Sequence, residues 1–349
     1  LPSKRGYYIT GNTAEGIVNF LSTNTSDFHH HIILKHPSQT VKTTVIKEII
    51  NEYEANHDVE VLYSSLGKEF LEGVIIRDKK IAVIDERAAS ADLSGAIEID
   101  LSLFTTDDVA TMDFTQEQEK INAYTQLAYD NFETGLKIHD DLEAVYIKEM
   151  DFEKANQMAE EFTETILNGV PKQNKESTVF HRLFGTNTKD GVVNVVPEIL
   201  SQLSKKYFIK GRAGTGKSTF MKKIMAACQE HGFDVELYHC SFDPNSIDMV
   251  LVRELGFCIF DSTDPHEFFP AGPGEEIIDM YEEAVTPGTD EKYAEEINEL
   301  NSRYKSYMKL GIVNLKEAGE IHQSLEQQFV IQPRDLEKIK SFILGKIIE

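Results

Sequence analysis

Gly211-Arg212-Ala213-Gly214-Thr215-Gly216-Lys217-Ser218-Thr219 sets three glycines, a lysine and two hydroxyls in the order GxxxxGK[ST]. Glycines at this spacing let backbone N–H groups converge in a concave nest, and a helix that starts at Lys217 adds the positive end of its dipole. Both favour a polyphosphate. In such a cradle, formed by Gly211, Gly214, Thr215 and Gly216, Lys217 reaches the β- and γ-phosphates. Ser218 then offers its hydroxyl to magnesium, and Thr219 lies near the α-phosphate. The expected cofactors are ATP, or another nucleoside triphosphate, and Mg2+. The loop reads phosphates, so the base preference is not legible.

A second acid belongs with this loop. Asp261 ends the apolar run Phe257 to Phe260, as a Walker B aspartate does at the tip of a buried strand, and with Ser218 forms the expected metal pair. Ser262-Thr263-Asp264-Pro265-His266 follows, with no glutamate directly after the aspartate to activate water. Two further clusters lie past the ends of expected strands, where open α/β sheets place ligands: His239-Cys240 with Asp243, and Asp264 with His266. Asp243 and His266 therefore join Lys217 and Asp261 as catalytic candidates for acid–base or substrate-positioning work. Cys240, His239 and His266 lack metal-ligand spacing. Arg212 and Arg253 are candidate arginine fingers.

These residues need a strand before the loop and a helix after it, and the sequence supplies both: Tyr207 to Lys210, then Lys217 to about Gln229. The same plan occurs twice, about 175 residues apart. Gly16-Ile17-Val18-Asn19 matches Gly191-Val192-Val193-Asn194, and Ile32 to Lys35 matches Tyr207 to Lys210. Asp58-Val59-Glu60 matches Asp234-Val235-Glu236, and Ile81 to Asp85 matches the run ending in Asp261. Ile138-His139 with Leu142-Glu143 resembles Ile321-His322 with Leu325-Glu326, and Asp151 to Lys154 resembles Asp335 to Lys338.

The expected organisation is therefore a tandem of two α/β units, residues 1–174 and 175–349, each a P-loop-like parallel sheet with flanking helices. The boundary falls near Lys172 to Ser177. Charge-rich helical patterns over Thr115 to Val145, Asp151 to Leu167, Glu291 to Phe329 and Asp335 to Ile348 predict a helical hairpin appended to each unit. Asp151 and Asp335 are the expected N-caps, and Gly169 is the expected stop. Phe132, Tyr146, Phe329, His139 and His322 are expected to pack helices, and His29-His30-His31 to lead into a strand.

Where the second half has its glycines, the first reads His36-Pro37-Ser38-Gln39-Thr40-Val41-Lys42-Thr43-Thr44. The lysine and hydroxyls remain, but Val41 replaces Gly216 and Pro37 removes a donor, so the first half is expected to bind nucleotide weakly at most. The chain resembles a family of uncharacterised tandem P-loop ATPases known mainly from Firmicutes, on Tyr207 to Thr219, Asp234 to Asp248 and Asp261 to His266. That resemblance implies a P-loop fold and ATP binding and supplies no substrate. Both halves of the family commonly carry intact loops, and this chain departs from it in the first half.

Composition narrows the partners. A formal net charge of −24 without clustered Lys and Arg speaks against nucleic acid and anionic membrane. Cys228, Cys240 and Cys258 make no even set and no CxxC pair, which fits free thiols in a reducing compartment. No apolar run is long enough for a membrane helix and Leu1 to Tyr8 has no signal-peptide core, so a cytoplasmic location is expected, with a short preceding segment left open by the absence of an initial methionine. Three functions fit: a magnesium-dependent ATPase whose helical tails couple nucleotide state to a protein partner or to the other half; a small-molecule or nucleotide kinase with Asp243 positioning the acceptor; and a non-hydrolysing, nucleotide-gated interaction protein.

Overall fold

The computed structural model describes residues 2–106 and 108–348, so Leu1 and Glu349, the outer ends of the two expected units, lie outside the described residues. The fold is mixed α/β, with two six-stranded sheets built on one plan. The first runs in space Lys4–Tyr8, Val59–Tyr63, Leu71–Ile76, Ile81–Asp85, His30–Lys35, Ala96–Asp100. The second runs Val179–Arg182, Val235–His239, Ile247–Val252, Phe257–Asp261, Lys205–Lys210, Glu275–Asp279.

Neither sheet is wholly parallel, contrary to the strand–helix alternation. Leu71–Ile76 and Ile247–Val252 run antiparallel to both of their neighbours. The cause is connection length: residues 240–246 and the turn Arg253–Leu255 are too short for the dozen or so residues that a parallel crossover requires. Gly256, at φ +67°, closes that turn in a conformation other residues rarely adopt.

A third sheet ties the halves together. The hairpins Thr10–Thr13/Gly16–Asn19 and Gly185–Thr188/Gly191–Asn194 meet through Asn12 and Asn187. Each asparagine donates its Nδ2 to the other's backbone carbonyl at 2.9 Å. Tyr8 and Leu183 likewise exchange backbone hydrogen bonds of 2.9 Å in both directions. Such reciprocity is the mark of a self-complementary two-fold contact, here formed within one chain. The inner faces of both large sheets share one core, including Tyr7, Ile9, Leu62, Phe184, Phe208, Tyr238 and Phe260.

Buried charge crosses the same interface. Arg182, 2% exposed, reaches Glu60 Oε1 at 2.8 Å and Glu236 Oε1 at 2.5 Å, and its guanidinium lies 3.9 Å above the Tyr7 ring. Arg77 pairs with Glu60, and Arg253 with Glu236. Burial would raise the Glu60 carboxyl, but Arg182 and Arg77 outweigh it and hold the group at about 2.

The helical tails do not fold back as local hairpins. The long helices Thr115–Ile147 and Ala294–Glu326 pack against each other, with Asn131 Nδ2 donating to Asn314 Oδ1 at 2.8 Å and Phe132 lying against Gly311. The short tail helices are exchanged. Phe152–Leu167 covers the second half's helix Lys217–Glu230, where the Phe162 ring lies tilted against Phe220, while Pro333–Ile348 covers the first half's Gln39–Tyr53. Asp151 caps its helix through Lys154 N, and Gly169, at φ +71°, follows that helix's end at Leu167. Asp335 is no cap: Pro333 opens the helix and Asp335 lies buried inside the first turn. The second long helix begins at Ala294, because Thr289–Lys292 forms a separate turn.

Removing Arg182 strands two buried carboxylates, so Arg182→Ala is expected to cost about 3–5 kcal/mol of stability in urea unfolding at pH 7. A loss below about 1 kcal/mol would mean that Arg77 and Arg253 suffice to neutralise the pair.

Candidate functional site

The loop 211–216 leaves the strand Lys205–Lys210 and turns into the helix at Lys217, with Gly214 at φ +74° and Gly216 at φ +81°. Gly211 is required by contact, since a Cβ there would stand 2.5 Å from Thr215 Oγ1. Thr215, buried, staples the loop: its hydroxyl donates to Arg212 O at 2.8 Å and accepts from Arg212 N at 3.1 Å. Lys217 Nζ donates to Arg212 O at 2.7 Å and lies 3.8 Å from Asp261 Oδ2. Ser218 Oγ accepts from Ile247 N at 2.9 Å, and Thr219 is exposed on the first helical turn. The opening N–H groups of a helix have no partner within it, and here they face the loop.

Asp261 ends its strand as expected and accepts from Thr263 Oγ1 at 2.6 Å. Lys210 fastens the segment that follows, donating to Ser262 O and to Phe268 O at 2.7 Å each. The pairing of Met249 with Phe260 puts Asp248 at the same strand edge as Asp261. Burial first, and Asp261 second, push the Asp248 carboxyl well above the usual range, with Lys217 opposing. Sequence reading passed over Asp248 because its place at the site depends on the antiparallel strand.

The other candidates divide. Asp243 Oδ1 accepts from Asn245 N at 3.0 Å and so caps the turn before Ile247. His266 is buried edge-on against Phe184, 4.9 Å between centroids, and burial lowers its pKa; its Nδ1 has no hydrogen-bond partner. His239 is engaged at the interface, with Nε2 2.7 Å from His181 Nδ1 and its ring stacked on Phe20 at 4.5 Å. Cys240 Sγ accepts from the backbone N–H groups of Phe242 and Asp243. Arg253 stands at the opposite end of the sheet from Asp261, bound to Glu236, and cannot serve as an arginine finger at this loop. Arg212 is held by Asp290 at 3.0 Å and lies 4.4 Å from the Tyr281 ring centroid. Among the described residues no group of three or more His, Cys, Asp or Glu is arranged to hold a metal ion, and no helix is long and apolar enough to cross a membrane.

The first long helix also belongs to this site, which the sequence did not reveal. A Cβ on Gly214 would stand 2.6 Å from Glu143 O and 2.9 Å from its Cα, so the helix Thr115–Ile147 lies directly on the loop. His139, on that helix, sits between Phe242 and Tyr304, and burial and Lys217 lower its pKa to about 4.

The corresponding place in the first half is filled from within. Lys42 is buried and paired with Asp85 at 2.7 Å. Thr43 Oγ1 accepts from Leu71 N at 3.0 Å, as Ser218 does from Ile247 N. At the helix N-terminus, where the second half has its glycine nest, the Glu326 carboxylate accepts from Ser38 Oγ at 2.6 Å, Gln39 N at 2.7 Å and Thr40 N at 3.2 Å. Burial would raise Glu326, but His322, Ser38 and these N–H groups outweigh it and hold its pKa at about 2.

No protein-family model, no curated protein and no solved structure matches the chain.

Because the folded pKa of Glu326 lies below its ordinary value of 4.5, its stabilising contribution is full above that pH and is lost as pH falls towards about 2. Glu326→Gln is expected to cost about 1–3 kcal/mol at pH 7, and the gap from the native chain should narrow in thermal melts taken between these limits. A gap that stays constant down to pH 2 would show that the charge contributes nothing.

Proposed function

We infer that the second half is a P-loop site that binds a nucleoside triphosphate, most simply ATP, with Mg2+, and that the chain is an ATPase. The observation that carries this reading is the loop itself: two positive-φ glycines, a stapling threonine, and Lys217 placed between a loop carbonyl and Asp261. The side chains fit the group. Ser218 and Asp261 are the residues that would hold magnesium, which usually takes one or two carboxylates together with phosphate and water oxygens. Lys217 and the first-turn N–H groups would neutralise and orient the phosphates. The ion would supply charge neutralisation at the transferring phosphate.

The contrast between the halves supports a single site. In the first, Lys42 and Asp85 satisfy each other and Glu326 occupies the anion-binding N-terminus, so a phosphate would have to displace a carboxylate. The matching strand order of the two sheets and the reciprocal contacts at Asn12/Asn187 support descent from a tandem duplication, in line with the resemblance to tandem P-loop ATPases. The first half then acts as a regulatory or structural copy.

Calorimetry with a non-hydrolysable ATP analogue and Mg2+ tests this. One site per chain is expected, weakened at least about 100-fold by Lys217→Ala through loss of a charge-assisted phosphate contact. The double variant Lys42→Met/Asp85→Leu, which removes both buried charges of the first half together, should leave that site intact. Two sites, or binding that survives Lys217→Ala, would sink the single-site reading.

A further inference from the structure

A hydrolytic site needs a group to orient and deprotonate water, and no glutamate directly follows Asp261 in the second half's own sequence. Besides Asp261, several carboxylates stand around the loop, of which Asp290 is bound to Arg212. Asp248 is fully buried, and Asp243 is committed to capping its turn. Asp140 and Glu143 come from the other half, on the long helix that crosses Gly214. Glu143 is the one whose backbone touches the loop, and its side chain is 38% exposed. His139 Nδ1 lies 3.4 Å from Glu143 Oε1 but without hydrogen-bond geometry, and His139 is neutral at pH 7, so it offers the carboxylate no charge.

The first half gives the reach of this position. Glu326 follows His322 by one helical turn, as Glu143 follows His139, and sits on the partner helix of the antiparallel pair. From there its carboxylate extends to Ser38 Oγ and Gln39 N, inside the equivalent loop. A glutamate at this helix position is therefore long enough to reach the phosphate end of the cradle. With phosphate bound, like charge would keep Glu143 from entering the nest as Glu326 does and would leave it at the mouth, facing the γ-phosphate.

We propose that Glu143, supplied by the first half, is the general base of the second half's site, so that hydrolysis requires both halves. This rests on the nucleotide-binding reading above. Water attacks the γ-phosphorus and gives one proton to a Glu143 carboxylate oxygen. The bond from the γ-phosphorus to the bridging oxygen breaks, its electron pair stays on the diphosphate, and Glu143 later releases the proton to solvent. Lys217 stabilises the charge on the phosphate oxygens, and Ser218 and Asp261 would hold the magnesium ion, which would supply further charge neutralisation there. The groups facing Glu143 are His139 and Asp140 on its own helix, Lys217 on the loop helix and Asp243 on the turn after His239. Burial, then Asp140 and Asp243, raise its pKa, with Lys217 opposing, which favours proton uptake from water.

The test uses the full chain and Glu143→Gln, with analogue binding by calorimetry, phosphate release from ATP with Mg2+ between pH 4 and 9, and a thermal melt. Glu143→Gln should bind the analogue within about threefold of the native chain, melt alike, and lose about 100-fold or more in kcat. The native kcat should fall on an acid limb above the usual carboxylate range, and that limb should be missing from whatever turnover Glu143→Gln retains. Turnover within about threefold of native would overturn the proposal, as would loss of binding or of the fold, which would make Glu143 a support for Gly214. A native chain that binds nucleotide without releasing phosphate would overturn the base and leave the binding reading standing; one that binds no nucleotide would overturn both.

Discussion

Arg182 is the group on which the joining of the halves turns. A guanidinium stripped of water is tolerated only when carboxylates surround it, and Glu60 and Glu236 come from different halves. The charges therefore compel the two sheets to meet in one register. The asparagine exchange at Asn12 and Asn187 fixes the same register through backbone carbonyls, and the shared apolar core then buries the inner faces of both sheets. Everything outside this interface inherits its near-two-fold arrangement, including the crossing of the long helices and the exchange of the tail helices.

That exchange bears on how the site is held. The helix Lys217–Glu230 is backed by Phe152–Leu167, a segment that follows the first half's long helix in the chain. Glu149 and Asp151, in the link between those helices, bind Thr286 N and Ala284 O of the second half. The glycine loop thus lies between elements of both halves, in direct packing contact with the first long helix. Gly214 is the contact point: its missing Cβ serves both the loop's backbone angle and the close approach of Glu143.

The two halves also display one framework under opposite electrostatic solutions. Lys42 and Asp85, desolvated together, neutralise each other, whereas Lys217 and Asp261 stand 3.8 Å apart with Asp261 still partly exposed. Valine at position 41 keeps the first loop in ordinary backbone space, where the helix N-terminus is capped by Ser38 and answered by Glu326. Glycine at position 216 permits φ +81° and leaves the helix start without a side-chain cap. A few residues decide whether the helix end is closed by the protein's own carboxylate or left uncapped by any side chain.

The sequence alone determined the glycine loop, its strand and helix and Asp261 at a strand tip, because each is a local pattern in which residue type dictates backbone angle, period or charge. It also marked the first loop as altered, since Val41 and Pro37 carry their constraints wherever they occur. Tertiary structure decided the rest. The antiparallel strand that brings in Asp248, the removal of Arg253 to the far interface, the exchange of the tail helices and the arrival of Glu143 at Gly214 and Glu326 at Gln39 all depend on contacts between residues far apart in the chain. Helical periodicity tells which face of Thr115–Ile147 is apolar, but not which partner covers it; that choice follows from the buried charges that hold the halves together.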